Sequence, residues 1–238
     1  MTILNPYERI FVALDTVNES HALDLARALK GQVGGMKIGK EFFTACGLEG
    51  VRSITNFGIP LFLDLKFHDI PNTVAGAIKA SLNLSPKMVN VHTLGGETMM
   101  RAAAKSAKDA GLSRPLVLGV TILTSLDESD LNAIGISGPV REQVIRLSSL
   151  AKYCGLDGVV CSAIEVKAIR EELGVDFKLV VPGIRPKWSS TDDQKRTVTP
   201  AKAVSMGADY LVIGRPITAS SDPVGAVKKI VEEIGGGV

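Results

Sequence analysis

Several features are scarce in this sequence. Aromatic residues make up 5% of the 238 residues, with a single Trp. That removes the stacking platforms on which single-stranded nucleic acid is held. The net charge is +2 with no basic block, so a phosphate backbone finds no electrostatic footing. The three cysteines, Cys46, Cys154 and Cys161, are an odd count without metal-ligand spacing. They read as free thiols in a reducing compartment. His68 and Asp69 hint at a metal, but no second His or carboxylate stands at ligand spacing. No apolar run is long enough to span a bilayer. The stretch Met1-Thr2-Ile3-Leu4-Asn5-Pro6 lacks the basic flank and apolar core of a secretory signal. A cytoplasmic protein is expected, with neither nucleic acid nor membrane as partner.

What remains is ordinary globular composition, 45% hydrophobic and 22% charged, at a length that allows a sizeable core. Short apolar runs at 10–15, 35–39, 60–63, 88–92, 116–123, 158–163, 177–183 and 210–214 read as buried parallel strands. Helical periodicity fills the intervals, with Ser20 expected to cap the first helix and Asp222-Pro223 the last. Eight strand-helix units without a linker predict an α/β protein, a single (β/α)8 TIM barrel over residues 1–238. The alternative is an open doubly wound sheet, which would carry a glycine-rich loop after its first strand. Here that turn is Asp15-Thr16-Val17-Asn18-Glu19.

The most distinctive stretch is Asp64-Leu65-Lys66-Phe67-His68-Asp69-Ile70-Pro71-Asn72-Thr73. Alternate strand residues share a face, so Asp64 and Lys66 point the same way, with Phe62 below them. Asp69 follows where the strand gives out, and Pro71 opens a helix. A lysine between two carboxylates is held protonated, which makes a fixed array of charge containing one proton donor. The competing readings are a surface salt bridge of little worth and a Schiff-base lysine. The latter needs a depressed pKa, opposite to what flanking carboxylates do.

A barrel places its site at the C-terminal ends of its strands. Those ends carry Asp15, Lys37, Asp64, Lys66, His92, Thr121 or Thr124, Arg185 and Arg215. Asp15 and Lys37, on neighbouring strands, are placed to pair and to hold sugar hydroxyls, or to form a mere rim ion pair. Segments 124–137 and 185–199 are longer than connections need to be and read as lids. The second carries Arg185, Lys187, Gln194, Lys195 and Arg196, beside the turn Gly214-Arg215-Pro216. Loops after strands seven and eight are a frequent phosphate site in barrels. There Gly214 admits an anion to backbone N–H groups, Arg215 grips it, and Gln194 adds a neutral hydrogen bond.

These residues resemble the orotidine 5′-monophosphate decarboxylase family, bacterial type. The decapeptide is similar to its signature. Val12-Ala13-Leu14-Asp15, Lys37-Ile38-Gly39, segment 120–125, Val181-Pro182-Gly183-Ile184-Arg185 and Ile213-Gly214-Arg215-Pro216-Ile217-Thr218 follow in matching order. The resemblance implies decarboxylation of orotidine 5′-monophosphate to UMP, without cofactor or metal, in a homodimer with sites at the interface. It implies Lys66 as proton donor, Asp64 as part of the charged array, and Asp69 completing the array of the partner's site. Thr73 would reach the nucleotide across the interface. Asp15 and Lys37 would hold the ribose and Thr124 the pyrimidine, while Arg185, Gln194, Gly214 and Arg215 would bind phosphate. Two rivals stand beside it. One is a magnesium-dependent phosphosugar decarboxylase or synthase with a similar Asp-x-Lys-x-x-Asp core. The other is a non-catalytic barrel that senses a phosphorylated metabolite.

Overall fold

A computed structural model describes residues 4–189 and 198–236. Eight parallel strands close into a barrel in sequence order, β1 hydrogen-bonding to both β2 and β8. In chain order the main elements are β1 Ile10–Ala13, α1 Glu19–Leu29, β2 Gly35–Gly39, α2 Lys40–Thr55, β3 Leu61–Phe67, α3 Pro71–Ser81, β4 Met88–His92 and α4 Gly96–Lys108. The second half runs β5 Leu116–Val120, α5 Glu128–Ala133, α6 Val140–Tyr153, β6 Gly158–Val160, α7 Val166–Leu173, β7 Lys178–Val181, α8 Pro200–Ser205, β8 Tyr210–Ile213, α9 Arg215–Thr218 and α10 Pro223–Gly235. The eight-unit expectation therefore holds, and the open sheet is excluded. No helix of the described residues is long and apolar enough to cross a membrane.

Two apolar layers form. The larger lies between strands and helices. The smaller fills the barrel interior with Phe11, Phe62, Met88, Leu118, Val180 and Tyr210. Phe11 meets Phe62 and Tyr210 edge to face at centroid distances of 6.4 and 5.6 Å. Each such fully buried side chain contributes about 1.5–3 kcal/mol of transfer free energy. These rings fill the barrel below the strand C-termini, where its cavity opens.

Several element ends differ from expectation, each for a local reason. The cap of α1 is Asn18, whose side chain accepts the His21 N–H at 3.0 Å, rather than Ser20, which lies inside the helix. β5 stops at Val120 instead of residue 123, where the Thr93 hydroxyl donates to the Val120 carbonyl at 2.9 Å. β6 stops at Val160 because Ser162 and Glu165 form a capping box for the next turn. The long segment after β5 holds the short helix α5, capped by Asp127, so it is not an unstructured lid. The expected cap at Asp222 is present, accepting from Gly225 N–H at 2.8 Å.

The strand starts on the opposite rim are fixed by a repeated device. In Gly155-Leu156-Asp157 the carboxylate holds Arg114 at 2.7 Å and the Val117 N–H at 2.8 Å. In Gly207-Ala208-Asp209 it holds Arg170 at 2.7 Å and the Leu179 N–H at 2.8 Å. Each aspartate thus ties its own strand to the preceding one.

Candidate active site

A cavity of about 430 Å³ opens at the strand C-termini, with Phe62 among its lining residues. Asp15, Lys37, Asp64, Lys66, Thr124, Arg185, Gly214 and Arg215 all line it. Eight of the eleven expected site residues are therefore gathered in one place. Asp69 and Thr73 are exposed and do not line this cavity. The Asp69 carboxylate accepts the N–H of Ile70 at 2.6 Å. Gln194 lies outside the described residues, as do Lys195 and Arg196.

The charged groups of β1, β2 and β3 form an alternating row. Lys37 Nζ sits 2.9 Å from Asp15 Oδ1 and 3.3 Å from Asp64 Oδ2. Lys66 Nζ sits 2.6 Å from Asp64 Oδ1. Asp64 is thus the shared counter-ion of two ammoniums, and its side chain is only 10% exposed. Charges this far from water persist only where each is paired and hydrogen-bonded. Gly39 makes room for the row: a Cβ there would lie 2.9 Å from Lys37 Nζ and 3.3 Å from Asp15 Oδ1.

The expectation that Lys66 is flanked by two carboxylates needs correction within this chain, where its ion-pair partner is Asp64. Simple alternation along β3 also fails, although Asp64 and Lys66 do meet. Leu63 pairs with Val89 and Phe67 with Val91, so three residues of β3 face one of β4. Lys66 takes up the slack in the left-handed region, φ 53°. For a residue with a Cβ that conformation costs about 1–2 kcal/mol. Asn90, fully buried on β4, occupies the place opposite. Its Oδ1 accepts the Lys66 N–H at 2.8 Å and its Nδ2 donates to Asp64 Oδ1 at 2.6 Å. Sequence reasoning passed over Asn90. The available signal was one amide inside the apolar run Met88-Val89-Asn90-Val91.

His92 follows at the end of β4, its ring 5.4 Å from that of His68. Burial, together with the nearby His68, Lys40 and Lys66 side chains, pushes its pKa down to about 4. Its Nδ1 is buried without a hydrogen-bond partner among the described residues. Cys161 also lines the cavity, and burial raises its thiol pKa well above the ordinary value.

On the other side of the opening, Arg185 follows β7 and is 7% exposed, whereas Arg215 follows β8 and is exposed. Gly214 precedes the four-residue helix α9, and a Cβ on it would make only ordinary contact with Ala13. What glycine provides at that position is open backbone beside the cavity.

Fold and cavity together define a (β/α)8 barrel enzyme with an alternating carboxylate–ammonium row on β1–β3 and two arginines after β7 and β8. A family model described as orotidine 5′-phosphate decarboxylase / HUMPS family matches residues 8–230, and the chain belongs to that family. It is 52% identical over 232 residues to an orotidine 5′-phosphate decarboxylase of Rhodospirillum rubrum, covering 95% of this chain and 94% of that one. A protein of the same description from Paramagnetospirillum magneticum is 50% identical over 237 residues, covering 98% of this chain and all of the other. Among solved structures, the orotidine 5′-phosphate decarboxylase of Lactobacillus acidophilus superposes with a TM-score of 0.84 at 39% identity. It covers 94% of this chain and 98% of that one.

Proposed function

We propose that this chain, acting as one barrel domain, decarboxylates orotidine 5′-monophosphate to UMP and CO2 in de novo pyrimidine synthesis. Lys66 is the proton donor. The observation that carries the reading is the Lys66 ammonium, held 2.6 Å from Asp64 in an alternating row that lines the cavity. Breaking the bond to the carboxylate leaves its electron pair on a pyrimidine carbon with no good electron sink. An ammonium fixed at that carbon stabilises the developing negative charge, then gives it a proton. CO2 leaves, and Lys66 regains its proton from water. The row is assembled before substrate arrives, so little reorganisation is left for the chemical step.

In the same proposal Asp15 and Lys37 hold the ribose hydroxyls and Thr124 contacts the pyrimidine. Arg185, Arg215, the Gly214 backbone and Gln194 take the phosphate. The phosphate is remote from the reacting carbon, so its binding energy can serve closure and water exclusion rather than ground-state affinity alone. The homodimer belongs to the proposal too. Asp69 and Thr73 are exposed and lie outside their own cavity, with Ile70 exposed between them. That arrangement suits residues that complete a partner's site. Cytoplasmic residence is proposed from three cysteines that are all free.

The test is a spectrophotometric assay of the purified chain with orotidine 5′-monophosphate and a chelator. Loss of the orotate absorbance with formation of UMP is the expected result. An unchanged spectrum would refute the reading and favour a magnesium-dependent phosphosugar substrate. Lys66→Ala should abolish turnover while leaving UMP binding measurable by calorimetry, and a variant that still turns over would remove Lys66 from its role.

A further inference from the structure

Asn90 does not line the cavity, yet it holds two of the groups that do. The slipped pairing of β3 on β4 puts residues 64, 65 and 66 opposite this one position. That slip takes the Lys66 N–H off the regular ladder, where a buried donor without an acceptor is costly. The Asn90 amide oxygen supplies the acceptor at 2.8 Å. Its amide nitrogen donates to Asp64 Oδ1 at 2.6 Å, the same oxygen that holds the Lys66 ammonium. The orientation of the amide is fixed by chemistry. A flipped amide would set NH2 against the Lys66 N–H and oxygen against the carboxylate, losing both bonds. With no exposed surface, Asn90 is out of reach of a ligand in the cavity.

We propose that Asn90 is a positioning residue that clamps the Lys66 backbone in its left-handed turn and the Asp64 carboxylate beside it, so that the ammonium is aimed before substrate binds. One side chain thus ties both ends of the Lys66–Asp64 pair, through main chain on one side and counter-ion on the other. Its kinetic consequence rests on the decarboxylase reading; its structural consequence does not.

Two variants separate the bonds. Asn90→Ala removes both. Asn90→Asp keeps the volume and the acceptor for Lys66, but sets a second carboxylate against Asp64. Each is assayed with orotidine 5′-monophosphate at a temperature where circular dichroism shows it folded. Misaiming by a fraction of an ångström to an ångström costs about 100-fold, so kcat should fall about that much in both variants. KM should stay within about threefold, because the phosphate and ribose contacts are untouched. Wild-type kcat in either folded variant would overturn the proposal. Hydrogen exchange at the Lys66 amide tests the clamp without catalysis. Slow exchange in the wild-type chain and fast exchange in Asn90→Ala are expected, whereas fast exchange already in the wild type would overturn it. An inactive wild-type chain with a protected Lys66 amide would refute the decarboxylase reading and leave the clamp standing.

Discussion

Replacing Asp64 with Asn changes one oxygen to an NH2 group and adds no volume, so its consequences follow from the contacts of that carboxylate. Oδ1 accepts from Lys66 Nζ and Asn90 Nδ2, each at 2.6 Å, while Oδ2 faces Lys37 Nζ at 3.3 Å. An amide has one acceptor atom. Whichever way it turns, its NH2 meets a donor, either the Lys37 ammonium or the pair formed by Lys66 and Asn90. The row of Asp15, Lys37, Asp64 and Lys66 also passes from neutral to a net positive charge. Lys37 keeps Asp15 at 2.9 Å, but Lys66 loses its ion-pair partner. Removing one member of a buried pair costs about 3–5 kcal/mol. If most of that appears as lost aim of Lys66, kcat falls roughly 10²- to 10³-fold at about 1.4 kcal/mol per decade. Binding of UMP should change by less than about threefold, since neither arginine is touched and the cavity has lost a negative charge. The experiment is kcat by orotate absorbance beside Kd for UMP by calorimetry. A variant with kcat within about tenfold of wild type would show that Asp64 does not hold the proton donor. Loss of UMP binding in step with kcat would show that the carboxylate supports the cavity rather than the chemistry.

His92 gives a pH prediction. Its pKa is about 4 in the folded chain against about 6.5 unfolded, so between those values the unfolded state binds the extra proton. Stability therefore rises with pH from 4 to 6.5 and is level above, by about 2–3 kcal/mol after allowing for partial exposure. Denaturant midpoints of His92→Gln should show a flatter slope in that window, and an unaltered slope would exclude His92 as its source. At the other rim, Asp209→Ala should cost about 3–5 kcal/mol by leaving Arg170 without its carboxylate. That is a Tm fall of about 6–20 °C at this chain length, with kcat per folded molecule unchanged, and a smaller shift would demote the aspartate. Gly39→Ala drives a Cβ against Lys37 Nζ. It should lower kcat/KM about tenfold, as for one weakened charge-assisted bond, whereas wild-type kinetics would show that Lys37 yields without loss.

The barrel was legible because parallel strands covered on both faces must be apolar throughout, and eight such runs spaced by helical periodicity leave few architectures. The rim residues were legible because charge that ends an apolar strand has one place to go. What escaped was geometry that one strand cannot announce alone. The slip between β3 and β4 arises from the pairing of Leu63 with Val89 and of Phe67 with Val91, and no periodicity in either strand encodes an offset between them. Asn90 was missed for the same reason, since an amide in an apolar strand becomes informative only when the residue opposite is known. The flanking of Lys66 by two carboxylates was inferred from spacing in sequence. Past the bulge, Asp69 turns outward and caps the N–H of Ile70.

The vertical order of the barrel explains how so much charge is held at one end of an apolar core. Phe11, Phe62 and Tyr210 fill the interior below, and the charged row faces the cavity above them. Lys37 and Asp64 are therefore nearly sealed, with side chains 9% and 10% exposed, while Asp15 at the end of the row is 54% exposed. Effective dielectric falls along the same direction, and each charge interacts more strongly with its neighbour the deeper it lies. The row is weakest at Asp15, where a ligand's hydroxyls can replace water, and strongest at Asp64, where nothing should move. Lys66 sits beside Asp64 with 26% of its side chain exposed, reachable from the cavity yet anchored at the rigid end. The proton donor proposed above, which gives up a proton to a bound molecule and then recovers it from water, needs both properties. The strained turn of the backbone at Lys66 supplies them by lifting the lysine off the regular ladder while leaving its counter-ion in the wall.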